Sequence, residues 1–263
     1  MEIIIPVLVV LAIGIILGLG LSFADRFMSV PVDEKQIKIR ECLPGANCGA
    51  CGFSGCDGYA AALAEGTADP DKCAPGGEAA AKALSEVLGV EVKAQNNVAF
   101  IACGGNPDTV KQTFEYTGFK TCAAAKLAGG GPIACEFGCL GFGDCMRACE
   151  FGAITLKDGR PFVCEDLCVA CGKCVKTCPK SIISLVPKAE AKIRVNCSNR
   201  KKGPQVVKSC DVSCIACGMC ERACEAGAIK VTDNLAVIDY SLCIACGKCK
   251  EVCPRKVIRD VTD

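Results

Sequence analysis

The sequence predicts an α+β chain: a single N-terminal transmembrane helix, a small helical unit rich in cysteine, and two tandem modules of short strands and helices. Three observations carry that prediction. Ile3 to Phe23 form an unbroken apolar run. Cys48, Cys51 and Cys56 are spaced C-x2-C-x4-C, with Cys73 seventeen positions later. A C-x2-C-x2-C-x3-C pattern recurs along the second half of the chain.

The totals bound what such a chain can do. It has 263 residues, enough for two or three domains, and 26 of them are cysteine. That density in a short secreted chain signals a disulfide scaffold, but these spacings are those of metal ligands, which need free thiolates and a reducing compartment. The 30 basic and 29 acidic residues nearly cancel, so no field points to nucleic acid. There is no His, which excludes haem attached at C-x-x-C-H, Rieske centres and imidazole catalysis. There is no Trp and few aromatics, so an aliphatic core alone is thin and bound metal must supply much of the folding energy.

Residues 1–25 read as the anchor. Twenty-one apolar residues at about 1.5 Å each span ~31 Å, the thickness of a hydrocarbon core. A signal peptide wants a basic start, whereas this chain begins Met1-Glu2 and has no Lys or Arg before Arg26. Arg26, Lys35, Lys38 and Arg40 follow the run, which places the rest of the chain on the cytoplasmic side of a single-pass inner-membrane protein. Gly14 and Gly18 form a G-x-x-x-G pair, either a seat for another membrane helix or the glycine common in membrane helices.

Residues 26–92 form the N-terminal unit. Ala-rich pieces at 57–65 and 77–88 read as helices, the second ending at Gly89. Four thiols in so small a unit fit a [4Fe–4S] cluster, with zinc as the rival on spacing alone. Residues 93–134 read as a connecting segment, with a strand-like VAFIAC up to Cys103 and a Gly-rich turn at 129–131. No Lys-Ser/Thr follows those glycines, so they are no phosphate loop.

The modules span 135–190 and 191–263. In the second, Cys214, Cys217, Cys220 and Cys224 are followed by Cys243, Cys246, Cys249, Cys253 and Pro254. This is the ligand pattern of a bacterial-type ferredoxin with two [4Fe–4S] clusters, in which the fourth cysteine of each run serves the other cluster. Cys214, Cys217 and Cys220 therefore go with Cys253, and Cys243, Cys246 and Cys249 with Cys224. The first module repeats the pattern, with the same nineteen positions from Cys149 to Cys168 as from Cys224 to Cys243. Cys168, Cys171 and Cys174 go with Cys149. At the position of Cys217, however, stands Phe142. Cys135, four residues before Cys139, is the expected substitute, giving Cys135, Cys139, Cys145 and Cys178. Between the runs of each module lie two strands joined by a tight turn, at Asp158-Gly159 and Asp233-Asn234.

Five clusters use twenty cysteines. Of the rest, Cys103 and Cys197 each end a strand-like segment, and Cys122 and Cys210 sit in KTC and KSC. These four are either the ligands of a sixth cluster or buried free thiols. Cys42 and Cys164 have no assigned role.

The N-terminal anchor, the ECLPGANCGACGFSGC segment and GCLGFGDC leading into ferredoxin modules resemble the B subunit of the Rnf ion-translocating oxidoreductase complex. The resemblance covers essentially the whole chain. It implies that Cys48, Cys51, Cys56 and Cys73 hold a cluster, not zinc. It implies a protein that takes electrons from soluble ferredoxin and hands them to other membrane subunits, in a complex that reduces NAD and exports Na+ or H+. A wiring component of another membrane hydrogenase or dehydrogenase is the rival reading. No Rossmann fingerprint, flavin motif or catalytic dyad is present, so bond-making chemistry is expected on another subunit. The expected partners are thus ferredoxin, membrane subunits and lipid.

Overall fold

The computed structural model describes residues 4–28 and 33–261. Helix α1, Ile4–Met28, carries the apolar run, and its large apolar side chains from Ile4 to Phe23 are 51% to 72% exposed. Ile3, where the expected span begins, lies outside the described residues, as do residues 29–32. Among the described residues no helix is long and apolar enough to cross a membrane.

The N-terminal unit is three helices around one small core. Helix α2, Glu34–Glu41, starts on Asp33, whose carboxylate accepts from the Lys35 amide, and carries Lys38 and Arg40 in its last turn, the charges its dipole favours. Helices α3, Cys56–Ala64, and α4, Gly77–Leu88, fall where the Ala-rich pieces predicted, and Gly89 closes α4 in the left-handed region. Ile39, Tyr59, Leu63 and Leu84 fill the centre, and Cys42, Cys51 and Cys73 pack on it.

Each module is a hairpin plus an outer pair of strands. In the first, β2 (Ile154–Lys157) and β3 (Arg160–Val163) form the hairpin, while β1 (Asn97–Ile101) pairs with β4 (Ile183–Pro187). The second repeats this with β6 (Ile229–Thr232) and β7 (Leu235–Ile238), and β5 (Ile193–Val195) against β8 (Ile258–Asp260). Both hairpin turns have two residues at positive φ: Asp158 and Gly159, and Asp233 and Asn234, the left-handed pairs that match strand twist. The sequence placed 97–101 in a connector. Its antiparallel register with β4, Ile101 opposite Ile183, makes it a strand of the first module.

Four short helices follow cysteines within the runs: α6 (Asp144–Arg147), α7 (Lys173–Thr177), α9 (Met219–Ala223) and α10 (Lys248–Glu251), each preceded by a left-handed glycine. Helix α5, Cys122–Leu127, is capped by the Thr121 hydroxyl, and α8, Gly203–Ser209, leads into Cys210. The cores are built largely of thiols. Ala99, Ile101, Ile154, Ile182 and Ile183 surround Cys145 and Cys174, and Ile193, Ile229, Val257 and Ile258 surround Cys214 and Cys220. The Gly-rich turn is tight: Gly131 sits at φ +105°, and a Cβ there would meet Leu140 at 2.3 Å.

Candidate metal centres

The N-terminal unit gathers Cys48, Cys51, Cys56 and Cys73. Cys56 opens α3, and its amide donates to the Asn47 side-chain oxygen at 2.8 Å. The buried Tyr59 hydroxyl donates to the Asp69 carbonyl at 2.8 Å and accepts from the Lys72 amide at 3.2 Å. It thereby ties the loop leading to Cys73 onto the helix that carries Cys56. Burial pushes the Cys73 thiol up, and the nearby Cys56, Cys51 and Cys48 push it further.

Four small cavities in the modules are each lined by four thiols. One holds Cys149, Cys168, Cys171 and Cys174. A second holds Cys122, Cys139, Cys145 and Cys178. A third holds Cys214, Cys217, Cys220 and Cys253, and the fourth Cys224, Cys243, Cys246 and Cys249. Cys149, Cys178, Cys224 and Cys253 each line the cavity of the other run. Ala170, Ala216 and Ala245 sit at φ 52°, 56° and 53°, each beside a left-handed glycine one residue past the next cysteine. Left-handed turns of this kind are a common source of backbone N–H groups for an anionic group.

The second cavity corrects one expectation. Cys122, not Cys135, stands with Cys139, Cys145 and Cys178. The Phe142 ring, which replaces the thiol of Cys217, packs on Tyr116 at 5.5 Å and under the Lys120 ammonium at 5.9 Å. That contact folds the 116–122 loop onto the site, and the Asp144 carboxylate accepts from the Ala123 amide at 3.0 Å. Cys122 is delivered by this packing. Cys135 lies in a separate buried cluster with Val110 and Cys210. The set Cys103, Cys122, Cys197 and Cys210 therefore does not form. Cys42 packs on the N-terminal core with its thiol on the Lys38 carbonyl, and Cys164 pairs its amide with Ala153; neither lines one of these four cavities.

The four thiols that line each cavity match the four-cysteine ligand set of a [4Fe–4S] cluster. The cavity walls are otherwise mainly apolar: Ile193, Ile229 and Ile238 in one, Val231, Val257 and Ile258 in another. The third also contains Arg255, whose buried Nε has no hydrogen-bond partner among the described residues. An inorganic sulfide or a thiolate there would satisfy it. Burial raises these thiols, Cys139 and Cys174 to about 12 and Cys220 and Cys249 to about 11, with neighbouring cysteines adding to the rise.

Comparison with known proteins agrees. A family model described as "Putative Fe-S cluster" matches residues 43–75, and one described as "4Fe-4S binding domain" matches 165–184 and 236–259. The chain is 43% identical over 240 residues, 90% of its length, to the B subunit of the Na(+)-translocating ferredoxin:NAD(+) oxidoreductase complex of Acetobacterium woodii, covering 72% of that protein. It is 42% identical to the proton-translocating counterpart of Clostridium ljungdahlii, over 92% of this chain and 86% of the relative. It is 37% identical to the B subunit of the ion-translocating oxidoreductase complex of Methanosarcina acetivorans, over 95% of each. The chain belongs to this B-subunit family. In this member of the family the two models enclose the N-terminal quartet and the outer runs Cys168–Cys178 and Cys243–Cys253. Cys122 falls outside both, in a loop whose path only packing reveals.

Proposed function

We propose that this chain is the electron relay of a membrane complex that oxidises reduced ferredoxin, reduces NAD and exports Na+ or H+. The observation that carries the reading is the placement of five thiol quartets, each next to another. The [4Fe–4S] groups they hold exchange one electron apiece. Cys48 of the N-terminal quartet lies close enough to Cys171 of the first module for its charge to raise that thiol, after burial. Cys174 and Cys145, from the two cavities of the first module, are neighbours in the same sense. The ligand sets are Cys48, Cys51, Cys56, Cys73; Cys149, Cys168, Cys171, Cys174; Cys122, Cys139, Cys145, Cys178; Cys214, Cys217, Cys220, Cys253; and Cys224, Cys243, Cys246, Cys249.

In this reading the apolar run at the start of the chain is the anchor, and Ile4 to Phe23 hold no ionisable side chain. With no ionisable group in that stretch, the ion path belongs to other subunits. The basic residues after α1 favour a cytoplasmic position for the quartets. The N-terminal quartet is next to the anchor in the chain, so it hands electrons to the membrane subunits. Ferredoxin then meets the second module, where Cys246, Ile244 and Ala245 are exposed. Bond-making on NAD belongs to another subunit, since this chain offers no His and no nucleotide loop.

The test is anaerobic purification of the intact complex through this chain, with ferredoxin-dependent NAD reduction assayed with and without Na+. NAD reduction that requires ferredoxin supports the reading. An intact, iron-loaded complex without it overturns the reading.

A further inference from the structure

Four thiols outside the five quartets meet where the two modules join. Cys103 follows β1 and Cys197 follows β5, and the backbone around them is the same: each amide donates to the carbonyl two residues back, at 2.8 and 2.9 Å. Each sulfur accepts the amide of its own module's first ligand, Cys139 to Cys103 and Cys214 to Cys197, both at 3.4 Å. Cys135 and Cys210 stand four residues before those same ligands. The two pairs are thus equivalent under the repeat, one pair from each module.

Two sets of contacts press the pairs together. The Gly104 amide donates to the Asn196 carbonyl at 2.8 Å, and the Ser198 hydroxyl to the Ala102 carbonyl at 2.6 Å, which joins the Cys103 and Cys197 segments. Residues 109–112 run between the other two. Val110 bridges to Cys210 and Gln112 to Ile133, and the Ala134 amide reaches the Lys111 carbonyl at 2.7 Å. A Cβ on Gly105 would touch both Cys210 Sγ, at 3.6 Å, and Cys103 Sγ, at 3.8 Å. Cys135, Cys197 and Cys210 are buried, and so is Asn199, whose side-chain amide donates to Cys135 Sγ at 3.4 Å.

We propose that Cys103, Cys135, Cys197 and Cys210 hold a further [4Fe–4S] cluster that joins the two modules electrically. Free thiols packing as small hydrophobes would explain burial alone. They would not explain why three of the four sulfurs are aimed at as acceptors, two by backbone amides and one by a buried carboxamide. Hydrogen bonds to ligating sulfurs are how proteins tune such clusters. The inference rests on the relay reading. One electron arrives from the reduced quartet on the Cys214 side and leaves to the oxidised quartet on the Cys139 side, with no bond made and no proton released.

The test uses the full chain in its membrane complex, purified anaerobically, with iron and acid-labile sulfide counted per copy of this chain by isolating it from the loaded complex. Six clusters give about 24 of each, five about 20. A count near 24 supports the proposal, and a count near 20 overturns it while leaving the relay reading intact. Cys135→Ala with Cys210→Ala is expected to remove about four irons, and Cys42→Ala with Cys164→Ala none. Unchanged iron in the first double variant also overturns the proposal. In that variant ferredoxin still reduces the second module, but reduction of the first module, read by rapid-freeze spectroscopy, slows at least tenfold; equal rates would contradict the joining role. Should the variant fail to fold, the count on the unaltered chain decides. Ferredoxin-dependent NAD reduction by the unaltered complex separately tests the relay reading.

Discussion

The outer loops of the two modules, Cys168–Cys174 and Cys243–Cys249, differ in one residue, Val169 against Ile244. Their backbones agree: Ala170 and Ala245 at φ 52° and 53°, Gly172 and Gly247 at 73° and 80°. Each carries the same ion pair, Lys173 with Glu150 and Lys248 with Glu225. Their surroundings do not agree. Ala170 is 3% exposed and Cys171 9%, while Ile244 is 67% exposed and Ala245 and Cys246 lie open. Cys48 of the N-terminal unit is felt at both Cys171 and Lys173. One loop already faces an iron–sulfur unit within the chain. The other presents the same surface outward, on the face where the proposed relay would meet its soluble donor.

The largest expected effect comes from putting a charge into each loop. Ala170→Glu buries an unpaired carboxylate and should cost roughly 3 kcal/mol or more, lowering the Tm of the loaded chain by about 5–10 °C. Ala245→Glu stays in water and should change stability by no more than about 0.5 kcal/mol. Calorimetry of both variants checks this. Equal losses would mean the two loops are equally covered, and the comparison would fail.

A smaller effect concerns electron entry. Ile244→Glu should slow reduction of the chain by reduced ferredoxin about tenfold, equivalent to about 1.4 kcal/mol of encounter energy, with iron content unchanged. Val90→Glu, at an exposed apolar residue beyond α4, should leave the rate alone. Stopped-flow traces at fixed salt compare them. An unaffected Ile244→Glu would move the entry point away from this loop.

None of this contrast is legible in the loops themselves, because CVACGKC and CIACGKC prescribe the same local structure. What the sequence does carry is ligand spacing, since the chemistry of a cube held by four thiolates is local to each run. The two-residue turns at Asp158 and Asp233 are legible for the same reason. The choice between Cys122 and Cys135 is not. It depends on where Tyr116 and Lys120 pack on Phe142, more than twenty positions away. A usable signal did exist: Cys135 precedes Cys139 by the same four residues as Cys210 precedes Cys214, which pairs Cys135 with Cys210 and leaves Cys122 to replace the lost thiol. The pairing of β1 with β4 is hidden likewise, since 82 positions separate Ile101 from its partner Ile183.

The smallest effect isolates coverage from strain. Ala170 and Ala245 share a left-handed backbone that costs an L-residue roughly 1–2 kcal/mol and costs glycine nothing. Glycine returns part of that gain, about 0.5–1 kcal/mol, by loosening the unfolded chain. Those two contributions are the same at both positions, so they cancel in the difference. What remains is one methyl group, buried at Ala170 and solvated at Ala245, worth about 0.8 kcal/mol. Ala245→Gly should therefore be the more stable variant by that amount, read from urea midpoints of the loaded chains at equal slope. Identical midpoints would show that the Ala170 methyl gains nothing from its cover. The burial of the first loop would then be a matter of proximity without packing, and the N-terminal unit would be free to leave it.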